Sequence, residues 1–137
     1  MQTIYPLARD KFLSAQIDWS SDAFLAVALG SGSSFSDLDE FRSDLTGVLG
    51  TGSLSGMSMP GGGWADANDV TITGLTPGQV VTGFVICVDT GSAATDSLVW
   101  FTDTHSDTTP IARTVDGSGS MTFAFSSAPG RIFQLGS

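Results

Sequence analysis

Apolar and polar positions alternate most regularly between residues 69 and 101. Val70 and Ile72 alternate with Thr71 and Thr73, the period of two that a half-buried strand needs. Thr76-Pro77-Gly78-Gln79 then reads as a turn, because proline presets φ at the second position and glycine accepts the positive φ of a type II turn at the third. Val80 to Val88 follows, apolar except for Thr82 and Gly83. Phe84, Ile86 and Val88 fall on one side, Val85 and Cys87 on the other, and two apolar faces predict a strand covered on both sides. Asp89 to Asp96 is a loop, and Ser97 to Phe101 is another strand with large groups on both faces. The pattern predicts a three-stranded antiparallel meander at the centre of the core.

The flanking segments are shorter. Pro6 suits the first turn of a helix, and Leu7, Ala8, Lys11, Phe12 and Ala15 give a weak helical period after it. Ala23 to Leu29 predicts a strand with Phe24, Ala26 and Ala28 on one face and Leu25, Val27 and Leu29 on the other. Ser36 can cap a short amphipathic helix whose stripe is Leu38, Phe41 and Leu45, ended by Gly47. Thr46 to Trp64 is rich in glycine, serine and methionine. Within it Thr51 to Met59 reads as an edge strand or an ordered arm, and Met59 to Gly63 as a loop. Ile111–Val115, Ser120–Phe125 and Arg131–Leu135 read as short strands. Strands at short intervals with turn signals between them predict an all-β chain, an antiparallel β-sandwich or jelly-roll-like fold with one or two short helices.

Composition narrows the function classes. A chain of 137 residues is expected to form a single β domain over 1–137, with an N-terminal arm at 1–5 and a second arm or loop at 46–64. Hydrophobic residues make up 41% and charged residues 14%, which favours a packed core over disorder. Five basic residues stand against 14 acidic ones, net −9, and Arg9, Lys11, Arg42, Arg113 and Arg131 are scattered. No basic stripe exists to follow phosphates, and the sign opposes docking to anionic lipid, so neither nucleic acid nor membrane is an expected partner. The lone Cys87 can form no internal disulfide. No signal peptide or membrane span is evident, so synthesis and folding in the cytoplasm are expected.

Chemistry-bearing residues are sparse. Asp103, His105 and Asp107 alternate and would face one way on an extended chain, but no second histidine or cysteine lies near, so a solvated loop is expected. Asp66, Asp69, Asp89 and Asp96 flank the meander without the spacing of a calcium loop, and turn and cap duty is expected of them. Cys87 sits within an apolar run that disfavours its thiolate, and no GxSxG is present. Gly61-Gly62-Gly63 has no following lysine, so it is no phosphate loop. No catalytic residue, metal or cofactor is expected, and the chain reads as a non-enzyme. Trp64, beside its glycine-rich loop, reads as a partner-contact anchor or a sugar-stacking platform.

The order of segments resembles a group of small virion proteins of tailed bacteriophages. The resemblance rests on YPLARDKFLSAQIDWSSDAFLAVAL, FSDLDEFRSDL, WADANDVTITGLTPGQVVTGFVICVDTGSAATDSLVWF and the ending RIFQL. It implies an all-β accessory protein without enzymatic activity, located on the virion after synthesis in the host cytoplasm. Its role would be that of a capsid decoration (cement) protein binding the major capsid protein at the outer surface, as a homotrimer. The alternative is an accessory tail or tail-fibre protein that binds a receptor. The residues expected to carry partner contacts are Ile4, Tyr5, Leu49, Leu54, Met57, Met59 and Trp64. They are the apolar positions that the core pattern leaves unclaimed in the two arms, 1–5 and 46–64.

Overall fold

The computed structural model describes residues 1–105, 109–125 and 132–135. In chain order the elements are β1 (Gln2–Ile4), α1 (Pro6–Leu13), β2 (Phe24–Gly30), a 3₁₀ turn (Arg42–Asp44), β3 (Val48–Ser53), β4 (Ser58–Gly61), β5 (Trp64–Asp66), β6 (Val70–Ile72), β7 (Val80–Val88), β8 (Leu98–Thr102), β9 (Arg113–Thr114), β10 (Met121–Phe123) and β11 (Phe133–Gln134). The chain is all-β and sandwich-like. The main sheet has the order β1-β8-β7-β2-β3, with β9 also paired to β7. Smaller antiparallel sheets are formed by β10-β6 and by β11-β5-β4.

The register explains how the layers meet. Gly52, Ala26, Ile86, Trp100 and Ile4 form one row across five strands, and Gly50, Ala28, Phe84 and Thr102 form the next. Paired residues share a face, so this face grades from large groups on β7 and β8 to glycine and alanine on β3 and β2. The small end admits β6. A Cβ on Gly52 would sit 2.9 Å from the Thr71 carbonyl oxygen, and one on Gly50 would sit 2.7 Å from Leu75 Cδ2. The large end packs against β10, where Phe84 meets Phe123 at 4.7 Å between ring centres and Trp100 at 6.3 Å. On the opposite face Phe101 meets Phe35, which in turn meets Tyr5. β7 is therefore covered on both sides, as its two apolar faces predicted, and Val81 and Phe84 to Cys87 are all buried. Burial pushes the Cys87 thiol up to about 12.

Three expectations are corrected. β6 leaves the predicted meander and pairs with β10, because the 73–79 turn carries the chain across the sandwich instead of folding back along one sheet. The type II turn at Thr76–Gln79 is present, with Gln79 N–H donating to the Thr76 carbonyl and Gly78 at φ 88°. The helix expected over Ser36–Leu45 is reduced to the 3₁₀ turn at 42–44. Residues 40–42 instead pair with residues 96–98: Arg42 N–H donates to the Asp96 carbonyl and Leu98 N–H to the Glu40 carbonyl, each a sheet-type bond that a helix would forfeit. The apolar stripe of that helix does not form, and Leu38 lies 87% exposed. Finally, Met59–Gly63 is not a loop. Gly61 pairs with Trp64 across a two-residue turn in which Gly62 (φ 66°) and Gly63 (φ 78°) both adopt the positive φ of a type I′ hairpin.

The Asp89–Asp96 loop is fastened from beneath. The fully buried Asp96 carboxylate accepts from Arg42 Nε at 2.8 Å and from the Thr90 N–H and hydroxyl at 2.7 Å each. Burial pushes this carboxyl up, but the Thr90 hydrogen bonds and the Arg42 guanidinium outweigh it and hold the group below the usual carboxylate range.

Candidate partner-binding site

Helix α1 ends in a Schellman motif. Ala15 N–H donates to the Phe12 carbonyl, and Gln16 N–H to the Lys11 carbonyl. The motif needs a left-handed residue, and the chain supplies Ala15 at φ 61°. An alanine there is strained by its Cβ. Ala15 is exposed, so Ala15→Gly removes strain without removing packing. The substitution is expected to raise the urea midpoint by an amount equivalent to about 1 kcal/mol. A lower midpoint would show that the left-handed turn is not under strain.

This turn aims Ile17, Asp18 and Trp19 at the β4–β5 hairpin. Trp19 is buried against Phe24, with ring centres 4.5 Å apart, and meets Phe133 edge-on at 5.2 Å. Its indole N–H donates to the carbonyls of Ser58 and Asp66, at 3.1 and 3.2 Å, one on each strand of the hairpin. Trp19 thus ties the end of α1 to the hairpin. β11 holds the other side. Leu135 N–H donates to the Gly63 carbonyl, Ile132 N–H to the Ala65 carbonyl, and the Gln134 side chain to the Gly62 carbonyl.

Between these parts lies an open groove of about 420 Å³, walled mainly by Phe12, Trp19, Met59, Trp64, Phe133 and Leu135. Met59 is 64% exposed and Leu135 37%, while Phe12 and Trp64 are half-buried. Asp18 is the one ionisable residue among the described lining residues. It is exposed. Its Oδ1 accepts from the Ser20 N–H at 2.9 Å and the Ser20 hydroxyl at 2.6 Å, and these bonds, with others from Ser21, hold its carboxyl below the usual range. The Asp22 carboxylate lies close by, accepting from the Asp18 N–H at 2.9 Å.

The seven residues expected to make partner contacts divide. Met59 and Trp64 line the groove together. Ile4 and Tyr5 do not form a loose arm. β1 is hydrogen-bonded along β8, Ile4 faces the sandwich interior, and Tyr5 is fully buried, its phenol oxygen without a partner among the described residues and its pKa raised by burial. Leu54 is buried in the core, and Leu49 and Met57 are partly buried against it. These five belong to the core or pack against it. Phe12, Trp19, Phe133 and Leu135 were missed as groove residues. The signal was a cluster of aromatic residues near chain turns, but only the fold brings residues 12, 19, 64 and 133 together.

The other candidate residues take structural duties. Asp96 is the buried partner of Arg42, Asp89 accepts from the Gly91 N–H, and Asp69 accepts from the Phe125 N–H. Asp103 pairs with the Met1 amino group and His105 is exposed, while Asp107 lies outside the described residues. Among the described residues no three His, Cys, Asp or Glu side chains gather as a metal site, and no helix is long and apolar enough to cross a membrane. No family model matches this chain, and neither a curated protein nor a solved structure does.

Proposed function

We propose that this chain is a structural accessory protein of a bacteriophage virion, a capsid decoration protein that docks on the outer shell and braces it. The resemblance in sequence supports this reading, and one structural observation carries it: an open apolar groove with Met59 and Trp64 at its mouth. Exposed apolar surface of this kind costs free energy in water and is characteristic of docking sites. Methionine adapts to an irregular partner surface, and tryptophan is among the strongest interface anchors. A standard interface hides about 800 Å² on each partner, so the groove would be the anchor of a larger contact.

The test uses the protein as a soluble ligand for purified phage shells, with sedimentation as the readout. Met59→Ser changes an exposed side chain and Trp64→Ala a half-buried one, so the melting temperature of each variant is measured first and binding is compared for the folded proteins. Shell binding by the double variant should weaken at least ~30-fold, the loss of a hot-spot anchor of about 2 kcal/mol. Normal binding by a folded double variant would remove the groove from the contact. Density for the chain on the tail of the intact virion, and none on the shell, would replace decoration with an accessory tail role.

A further inference from the structure

The groove also carries information about what enters it. Among the described lining residues it combines four aromatic side chains, Phe12, Trp19, Trp64 and Phe133, with one carboxylate, Asp18, and no lysine or arginine. Aromatic faces are negative and attract a cation lying over them. The rings are held in place: Trp19 is fixed by its two bonds to the hairpin, and Phe133 by ring contacts to Trp19 and Phe12. Asp22 adds a second negative charge beside Asp18, and the chain as a whole is net −9. A second copy of this chain would bring the same acidic groove against itself. An uncharged occupant would desolvate Asp18 with nothing in return. A basic occupant offsets that loss and gains the ring faces.

Resting on the reading of this groove as the docking surface, we propose that it receives the basic side chain of a protein partner, a lysine or arginine. The aliphatic stem lies among Phe12, Trp64 and Phe133, and the charged head sits at Asp18. Long basic side chains suit such a site because their methylenes bury while the head stays at the rim.

Three probes of similar size separate charge from bulk: n-butylammonium, N-butylguanidinium and the neutral 1-butanol. They are titrated into the full chain at matched ionic strength, with the indole N–H signals of Trp19 and Trp64 followed by NMR. Saturable shifts from a cation at concentrations at least ~10-fold below those needed for 1-butanol support the proposal. The preferred cation tells lysine from arginine. Asp18→Asn keeps an oxygen to accept from Ser20, so it should fold normally and reduce the cations to the level of the alcohol. Equal binding of the alcohol, or cation binding unchanged in Asp18→Asn, overturns the proposal. Shell binding by the same variants is scored separately. Loss of shell binding in the Met59→Ser, Trp64→Ala variant, with no cation preference in the groove, leaves the docking reading standing and removes this one. Cation preference with normal shell binding by that variant does the reverse.

Discussion

Trp19→Ala is expected to lower folding stability by about 3–5 kcal/mol, the range for deleting a buried aromatic side chain. At this chain length that corresponds to a fall in melting temperature of roughly 10–20 °C. Two losses combine. The ring leaves a cavity between Phe24 and Phe133, and the Ser58 and Asp66 carbonyls lose the N–H that links them. Trp19→Phe helps to separate the two, because it keeps one aromatic ring in the apolar contact while removing the donor. It should cost about 1–3 kcal/mol, and amide exchange should quicken in β4 and β5 before it quickens in β7. A loss below 1 kcal/mol for Trp19→Ala would mean that α1 and the hairpin are not joined through this residue, and the groove would lose its rigid wall.

The second large effect belongs to Arg42. Asp96 is fully buried, and the Arg42 side chain is 23% exposed. Removing one partner of a buried pair leaves an uncompensated charge, at a cost of about 3–5 kcal/mol. Because Arg42 keeps some contact with water, Arg42→Ala should fall near the lower end, about 3 kcal/mol. The acid limb of stability follows from the same group. The folded-state pKa of Asp96 lies below its unfolded value. Its contribution is therefore fully present above the unfolded carboxylate range, about 3.9, and is lost as pH falls through the folded value. Urea titrations from pH 7 down to pH 2 should show wild-type stability declining below about pH 4, with a shallower decline in Asp96→Asn. Parallel curves for the two proteins would place the acid sensitivity elsewhere.

The sequence reveals this fold most clearly where one segment can satisfy its own demands. Val80–Val88 needs two covered faces whatever its neighbours are, and Ala23–Leu29 likewise, so both are legible as core strands. Pro6 opens α1, and Thr76–Gln79 makes its turn from local chemistry alone. The failures lie where a distant partner decides. Ser36–Leu45 has a helical stripe, yet its backbone bonds go to residues 96–98. Val48–Ser53 falls in the segment read as an arm or loop, with an edge strand or ordered arm expected only from Thr51, but Gly50 and Gly52 are glycine because a Cβ there would collide with the Leu75 side chain and the Thr71 carbonyl. Ile4 and Tyr5 read as loose because the pattern of β8, which claims them, lies far along the chain. The groove was half legible. Met59 and Trp64 stand out as unclaimed apolar residues, whereas Trp19 and Phe133 look like ordinary core until the hairpin is placed beside them.

The pairing of β1 with β8 also sets a clock on synthesis. Gln2 is opposite Thr102, and Tyr5 N–H donates to the Val99 carbonyl. A ribosome adding roughly 5–20 residues per second needs about 5–20 s to make the chain between them. Throughout that interval Ile4 and Tyr5 have no strand to join, and one edge of β2 likewise waits for β7. Such long-range pairings fold slowly, on the millisecond-to-second scale, even once complete. β1 and α1 are thus an apolar strand and helix without their sheet partner until β8 is made, the interval in which chaperone capture or misassembly between neighbouring chains on one message would act.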